Sequence, residues 1–222
     1  MVRIAPSVLG ADFSRLAEEI IDADKAGVDL LHLDIMDGHF VPNISFGPGI
    51  VKTINNLTDT YLDVHLMLSE PEKYFEPFQK AGADAITFHI EVHPDPVKYL
   101  NELRTMKLDV GLSLNPNTKV DMVLPYLKYC DQLLVMSVFP GFGGQGFIES
   151  ALDTVTVARK FIDENKLSTL ISIDGGVDSN NAQRIVDAGA DILVMGTAFF
   201  KSKDRTGLVK KIKNFNKQRI IK

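Results

Sequence analysis

The sequence predicts an α/β chain folded as a single (β/α)8 TIM barrel with a parallel eight-stranded core, and three observations support this prediction. A segment recurs three times, as AGVDLLHLDI from Ala26, AGADAITFHI from Ala81 and AGADILVMGT from Ala188. In each copy a helical pattern ends at a glycine C-cap and a short run of strand-forming residues follows. Most strand candidates are nearly continuous apolar runs, which is typical of strands covered on both faces. The length of 222 residues lies in the range of such barrels, which begins near ~200 residues.

Eight strand candidates follow one another along the chain. The first is Arg3–Ser7, the recurring segments contribute the second, fourth and eighth, and the other four are Leu62–Leu66, Val110–Leu114, Gln132–Met136 and Leu170–Asp174. Amphipathic segments separate them, among them Ser14–Ala26, Pro71–Ala81, Lys119–Leu127, Glu149–Asn165 and Ser179–Ala188. An open doubly wound sheet is the alternative, but it normally carries G-x-G-x-x-G after its first strand, and APSVLGADF does not. No linker-like segment interrupts the pattern, so one domain over residues 1–222 is expected.

The composition predicts a soluble cytoplasmic protein without a nucleic-acid or membrane partner. The formal net charge is −5 and basic residues are scattered, unlike the basic face that nucleic-acid binding needs. The exception is the stretch Lys210–Lys222, which is expected to form an amphipathic last helix. Cys130 is the single cysteine, so no intrachain disulfide can form, which fits a reducing compartment. MVRIAPSVLG does not resemble a signal peptide, and no apolar run approaches the ~18 residues of a membrane span.

Polar side chains lie near the C-terminal ends of the predicted strands, where a barrel builds its active site. One histidine in a strand is more often a core residue than a ligand. Four of the five histidines lie in or directly after strands, however, and their convergence on one rim favours a site. The polar residues at these ends are Ser7, His32, Asp34, His65, His89, Glu91, Asn115, Ser137, Asp174 and Thr197.

Four of these residues have the chemistry of a metal site: His32, Asp34, His65 and Asp174. Two imidazoles and two carboxylates suit a divalent ion, zinc first and also manganese, iron or cobalt. A bound cation would also explain why charged residues lie in buried strands. The alternative is a buried salt-bridge network. Apart from Arg3, no lysine or arginine lies on these strand ends to supply its cation, so the metal site is favoured.

Three glycine-rich stretches follow the last strands and predict a phosphate-binding site. They are PGFGGQGF at Pro140–Phe147, DGGV after the seventh strand and GTAFF from Gly196. Glycines let backbone N–H groups approach an anion closely. Barrels often bind phosphate in the loops after strands 7 and 8. One such stretch alone would indicate only a tight loop, but three on the closing strands favour a phosphate.

A phosphate site, a divalent metal and two carboxylates at one barrel mouth indicate proton transfer next to a carbonyl. A metal can hold the charge of an enediolate, while one aspartate removes the proton and the other returns it from the opposite face, which inverts the carbon. No predicted strand ends in a Schiff-base lysine. The chain also lacks a G-x-S-x-G serine elbow and a dinucleotide fingerprint.

The motifs themselves resemble the ribulose-phosphate 3-epimerase family. APSVLGADF, LHLDIMDGHFVPNISFG, DVHLM, FHIE, MSVFPGFGGQGF, IDGGV and ADILVMGTAFF occur in the order expected of that family, from about Ile4 to Phe200. The resemblance implies a metal-dependent barrel enzyme of the pentose phosphate pathway. It would interconvert D-ribulose 5-phosphate and D-xylulose 5-phosphate by two-base proton transfer at C3 through a metal-stabilised enediolate. It also implies a homo-oligomer, either a dimer or a hexamer.

The resemblance further assigns roles to residues of this chain. His32, Asp34, His65 and Asp174 correspond to the metal ligands, with Asp34 and Asp174 also the acid/base pair. Ser7 and His65 resemble sugar contacts, and Asp174 also contacts substrate. The residues implied at the phosphate end are Gly141, Phe142, Gly143, Gly144, Gly175, Gly176, Gly196 and Thr197. Three methionines, Met36, Met67 and Met136, resemble a family cluster lining the pocket, although core packing would otherwise explain them.

Two alternatives remain open. D-Allulose-6-phosphate 3-epimerase shares the barrel, metal and aspartate pair, although GFGG and DGG are closer to the pentose enzyme. A catalytically silent barrel that binds a sugar phosphate would most simply lose one of the aspartates, and both are present. The chain departs from the family pattern at Ser172, Phe139 and Gly10, none of which is a proposed metal ligand.

Overall fold

The computed structural model describes residues 2–215 and contains eight parallel strands that form one nearly closed barrel, which confirms the predicted fold. The sheet order is β1-β8-β7-β6-β5-β4-β3-β2, and a bridge between Ser7 and His32 joins the two ends of the sheet. The strands are β1 Arg3–Pro6, β2 Leu30–Met36, β3 Tyr61–Met67, β4 Ala85–His89, β5 Asp109–Leu114, β6 Gln132–Met136, β7 Leu170–Asp174 and β8 Ile192–Met195.

Helices cover the outside of the barrel and follow most strands. They are α1 Leu16–Ala26, α2 Pro48–Asn55, α3 Phe75–Ala81, α4 Val97–Thr105, α5 Ala151–Glu164, α6 Ala182–Ala188, α7 Thr197–Phe200 and α8 Arg205–Lys213. Helix α8 contains the start of the basic C-terminal stretch, and the remainder of that predicted helix, 216–222, lies outside the described residues. Over residues 2–215, no helix is long and apolar enough to cross a membrane.

The connection between β5 and β6 contains no α-helix. The amphipathic segment 119–127 lies in two 3-10 helices, Val120–Met122 and Leu124–Tyr129. Pro125 is the second residue of the second of these helices. Its ring clashes with the carbonyl four residues earlier, and it has no N–H to donate. An α-helix continuous through this position is therefore excluded.

An aspartate joins the two strands of each βαβ pair at the N-terminal end of the barrel. The Asp29 carboxylate, just before β2, accepts a hydrogen bond from the Ile4 backbone of β1 at 2.9 Å. Three more aspartates make the same bond, and together they fix even strands to the odd strands before them. These are Asp84 to the Leu62 backbone, Asp131 to Val110 and Asp191 to Ile171, at 2.8 to 2.9 Å.

The interior of the barrel is polar on one side and apolar on the other. An apolar cluster inside it includes Ala5, Leu134, Met136, Ile192 and Val194. The larger core lies between the strands and the helices. Buried polar side chains come mostly from β2 to β6, and these are His32, Asp34, Asp63, His65, Thr87, His89, Ser113 and Gln132. A charged ligand is therefore best accommodated toward β2 and β3.

Candidate active site

A pocket of about 330 Å³ opens at the C-terminal ends of the strands. Asp34 on β2 and Asp174 at the end of β7 both line it, so strands three places apart around the ring bring two carboxylates to one cavity. The other predicted site residues on its wall are Ser7, Met36, Met67, Met136, Gly141, Phe142, Gly143, Gly144, Gly175, Gly176, Gly196 and Thr197. His32 and His65 are fully buried and do not line the pocket.

The four predicted metal ligands lie together. His32, Asp34, His65 and Asp174 each offer one ligand atom, and these atoms all lie within 4.8 Å of one another. Asp34 Oδ1 is 3.3 Å from His32 Nε2 and 3.1 Å from His65 Nδ1. His32 Nε2 is buried and makes no hydrogen bond, which is costly unless another group satisfies the atom. This donor set fits a divalent ion.

A carboxylate behind His32 fixes which of its nitrogens faces the cluster. His32 Nδ1 lies 2.8 Å from Asp63 Oδ2, and the Gln132 amide donates to Asp63 from across the barrel at 3.2 Å. A proton on Nδ1 therefore bonds to Asp63, and Nε2 is directed at Asp34. Metal-binding histidines commonly have such a carboxylate partner.

Asp34 is held as a carboxylate. Burial alone would raise the pKa of Asp34, but His32 and His65 outweigh burial and lower this pKa below its ordinary range. Ser7 also donates its hydroxyl to Asp34 Oδ2 at 2.5 Å. In His65, burial has the largest effect and lowers the pKa to about 4, so this imidazole is neutral near pH 7 and has a lone pair for a ligand.

Asp174 is shifted in the opposite direction. Burial, reinforced by the negative charge of Asp34, raises the pKa of Asp174 to about 7. Near neutral pH Asp34 is thus ionised, whereas Asp174 exchanges a proton readily. Two carboxyl groups whose environments separate their pKa values in this way are chemically able to act as an acid and a base.

The glycines after Asp174 place the backbone against the pocket. Gly175 and Gly176 have φ values of +118° and +62°, which favour glycine. A Cβ at Gly176 would lie 2.6 Å from the Phe147 backbone nitrogen. Ser137 donates its hydroxyl to the Asp174 and Gly175 carbonyls at 2.8 and 2.7 Å. The position of Asp174 is therefore fixed from the segment that follows the neighbouring strand β6.

Side-chain amides hold the glycine-rich loop after β6. Gln145 donates to the carbonyls of Phe139 and Phe142 at 2.7 and 2.9 Å. Asn43, in the loop after β2, donates to the Gly141 carbonyl at 2.7 Å. Among the described residues that line the pocket there is no lysine or arginine. An anion there would therefore be bound by backbone N–H groups and the ends of helices.

Some pocket residues were not predicted. Gly10 lines the wall beside Gly196 and Thr197, and a Cβ on it would lie 2.7 Å from the Gly196 carbonyl carbon. In the sequence its only signal was a departure from the family pattern. The other lining residues outside the predicted stretches are Leu9, Val138, Asp178 and Val194, whereas Pro140, Gln145, Val177 and Ala198 lie within the predicted glycine-rich stretches.

Comparison with known proteins identifies relatives over nearly the whole chain. A sequence model described as the ribulose-phosphate 3 epimerase family matches residues 3–200. The ribulose-phosphate 3-epimerase of Synechocystis sp. is 46% identical over 95% of this chain and 93% of its own length. That of Bacillus subtilis is 42% identical over 96% and 99%. Among solved structures, KGPDC from Streptococcus mutans superposes with a TM-score of 0.67 over 96% of both chains, at 14% identity. This last likeness concerns the fold alone.

Proposed function

The chain belongs to the ribulose-phosphate 3-epimerase family and is an epimerase, and from this premise we propose that it interconverts D-ribulose 5-phosphate and D-xylulose 5-phosphate. The observation that supports the proposal most directly is the pair of carboxyl groups, Asp34 and Asp174, on the wall of one pocket. Inversion at a carbon next to a carbonyl needs one group to remove a proton and another to supply it from the opposite face.

His32, Asp34, His65 and Asp174 would hold a divalent metal ion, with zinc preferred for two imidazoles and two carboxylates. When bound, the ion would supply positive charge that stabilises the enediolate formed on loss of the C3 proton. Asp34 removes the proton from one face of C3, and Asp174 delivers a proton to the other. In the reverse reaction the two aspartates exchange roles.

The rest of the pocket orients the substrate. Ser7, which donates to Asp34, lies on the pocket wall where it can also contact a sugar hydroxyl. The three methionines provide an apolar surface beside the reacting carbons and keep water from the carbanion. Gly141 to Gly144, Gly175, Gly176, Gly196 and Thr197 form the phosphate end, and Thr197 starts helix α7.

The test is a comparison of kcat/KM for D-ribulose 5-phosphate and D-allulose 6-phosphate, with the protein loaded in turn with zinc, manganese and iron. We expect a clear preference for the pentulose phosphate. A preference for the hexulose phosphate would keep the chemistry and overturn the substrate. Binding of either sugar phosphate without turnover would overturn the catalytic proposal.

Gly10→Ala is expected to weaken binding of the phosphate end. The new methyl group would lie 2.7 Å from the Gly196 carbonyl carbon and 2.8 Å from the Thr197 nitrogen, so the loop after β8 must move. We expect KM to rise about tenfold, equivalent to roughly 1.4 kcal/mol of binding free energy, with kcat nearly unchanged because the reacting groups are untouched.

The matched control for this prediction is Gly49→Ala. A Cβ at Gly49, in the first turn of α2, would contact nothing within 4 Å. Steady-state kinetics of both variants on D-ribulose 5-phosphate make the comparison. An unchanged KM for Gly10→Ala would contradict the placement of the phosphate beside Gly196.

A further inference from the structure

We propose that Glu91, acting through His89, is a positioning residue that determines which nitrogen of His65 is available to a metal ion. This inference rests on the metal centre of the proposed function. It concerns two residues that lie behind the pocket and do not line it. The chain of contacts runs from the cluster outward, from His65 on β3 to His89 at the end of β4 and then to Glu91.

Glu91 is fixed as a hydrogen-bond acceptor on both of its oxygens. Oε1 accepts from the Asn115 backbone at 2.7 Å and from the Thr118 hydroxyl. Oε2 lies 3.1 Å from His89 Nδ1. Because the bonds to Asn115 and Thr118 hold one oxygen in place, the other is aimed at the imidazole. The proton of His89 is therefore held on Nδ1.

The hydrogen bond between His89 and His65 makes the position of the proton on His65 depend on its position on His89. His65 Nε2 and His89 Nε2 are 2.9 Å apart in rings that stack with centroids 5.0 Å apart. One nitrogen must donate and the other accept. With its proton on Nδ1, His89 offers a lone pair at Nε2, so His65 donates from Nε2. Its Nδ1, which lies 3.1 Å from Asp34 Oδ1, is then unprotonated and available to a metal ion.

The two histidines of the cluster need different supports because they present different nitrogens. His32 presents Nε2, and a carboxylate, Asp63, contacts its Nδ1 directly. His65 presents Nδ1, so its second nitrogen points away from the pocket toward β4. There the carboxylate acts through an intervening imidazole. Both ligands thus have a carboxylate that fixes the tautomer, the arrangement typical of metal-binding histidines.

Glu91→Gln separates this role from simple packing because it keeps size and shape. If the amide oxygen retains the bonds from Asn115 and Thr118, the amide nitrogen faces His89 Nδ1 and requires it to accept. His89 then donates from Nε2, His65 accepts at Nε2, and the proton of His65 moves to Nδ1. A proton on Nδ1 occupies the lone pair that the metal needs.

Two matched controls come from the same end of the barrel. Glu72→Gln alters the other glutamate–histidine pair, in which Glu72 Oε2 lies 2.9 Å from His93 Nε2 and contacts no member of the metal cluster. Thr118→Val removes a hydrogen bond from Glu91 itself but leaves a carboxylate facing His89. If Glu91→Gln acts by loosening the site in general, Thr118→Val should weaken zinc binding as well. If it acts by changing the tautomer, Thr118→Val should leave zinc binding unchanged.

The first measurement is the zinc dissociation constant of the full chain and its three variants, by competition with a chromophoric chelator. We expect Glu91→Gln to bind zinc about 10- to 100-fold more weakly, with Glu72→Gln and Thr118→Val within a factor of about three of wild type. Equal affinity of Glu91→Gln and wild type would overturn this inference alone, as would equal weakening of all three variants. Failure of the wild-type chain to bind zinc would instead overturn the metal centre of the proposed function.

The second measurement is the ring ¹⁵N NMR spectrum of the wild type and of Glu91→Gln, both without metal. In wild type we expect protons on His65 Nε2 and His89 Nδ1, and in Glu91→Gln protons on His65 Nδ1 and His89 Nε2. A merely structural role for Glu91 would leave these signatures unchanged. A proton on His89 Nε2 in the metal-free wild type would overturn the inference.

Discussion

Asp174→Asn is expected to abolish epimerisation while one half of the proton transfer survives. The asparagine amide keeps the shape of the aspartate but neither accepts nor delivers a proton. Asp34 remains as the proposed base for the opposite face of C3. General acid–base groups contribute about 10²–10⁴-fold each, so kcat for interconversion should fall about 10³-fold or more.

The remaining base gives this variant a distinctive signature in D₂O. Asp34 still removes the C3 proton of the epimer whose C3–H faces it, and returns a deuteron to the same face. That epimer takes up deuterium without changing configuration, while the other epimer stays unlabelled. Asp34→Asn should show the reverse preference. Mass spectrometry of each epimer incubated separately measures the exchange.

Metal content must be measured first, because both aspartates are also proposed ligands. Glu70→Gln, a surface variant outside the pocket whose carboxylate pairs with the exposed Lys73, is a suitable control and should retain full turnover. Near-normal interconversion by metal-loaded Asp174→Asn would disprove the two-base mechanism. Deuterium uptake by both epimers in that variant would show that a different group serves the second face.

Removal of the metal is expected to destabilise the protein as well as inactivate it. The cluster brings two carboxyl groups and two imidazoles within 4.8 Å, and an ion held by it would bind the folded state alone. At a metal concentration 1,000 times the dissociation constant, binding adds about 4 kcal/mol to the free energy of unfolding. For a domain of this size that is a fall in Tm of roughly 8–16 °C on chelation.

Differential scanning calorimetry with a chelator, and then with zinc restored, measures this effect. His32→Gln should lower the Tm difference between the two conditions. His93→Gln, whose imidazole bonds to Glu72 outside the cluster, should leave it unchanged. A Tm that does not respond to chelation or to added zinc would contradict the ligand assignment.

Much of the fold could be predicted from local patterns. Strands β6 and β7 have the bounds that the apolar runs predicted, because each run ends abruptly at polar or glycine residues. The Ala-Gly joints are helix C-caps, with Gly27, Gly82 and Gly189 at positive φ. The 119–127 segment was harder to predict. The spacing of its apolar residues does not show how Pro125 affects the hydrogen bonding of the backbone.

Site residues were predictable where the residue type alone indicates the chemistry. They were not predictable where their role depends on contacts between strands. The four metal-cluster residues could be proposed because histidine and aspartate rarely lie inside strands without a partner. Asp63 carried the same signal, but it lies near the start of its strand, away from the predicted site, and its role depends on the register that sets it beside His32. His89 and Glu91 were recognised as polar strand ends, but their connection to His65 exists only in three dimensions. The need for a glycine at position 10 likewise could not be predicted, because it arises from the close approach of residues far along the chain.

The four aspartates at the N-terminal end of the barrel divide it into four pairs of strands, and this division affects which circular permutants should fold readily. Each bond joins β1 to β2, β3 to β4, β5 to β6 or β7 to β8. A circular permutant opened between β2 and β3 keeps every such bond within a continuous piece of chain. One opened between β3 and β4 must form one of them between segments at opposite ends of the new sequence. Since the pocket lies at the other end of the barrel, the cost of the second cut should appear as slower folding and leave substrate binding intact.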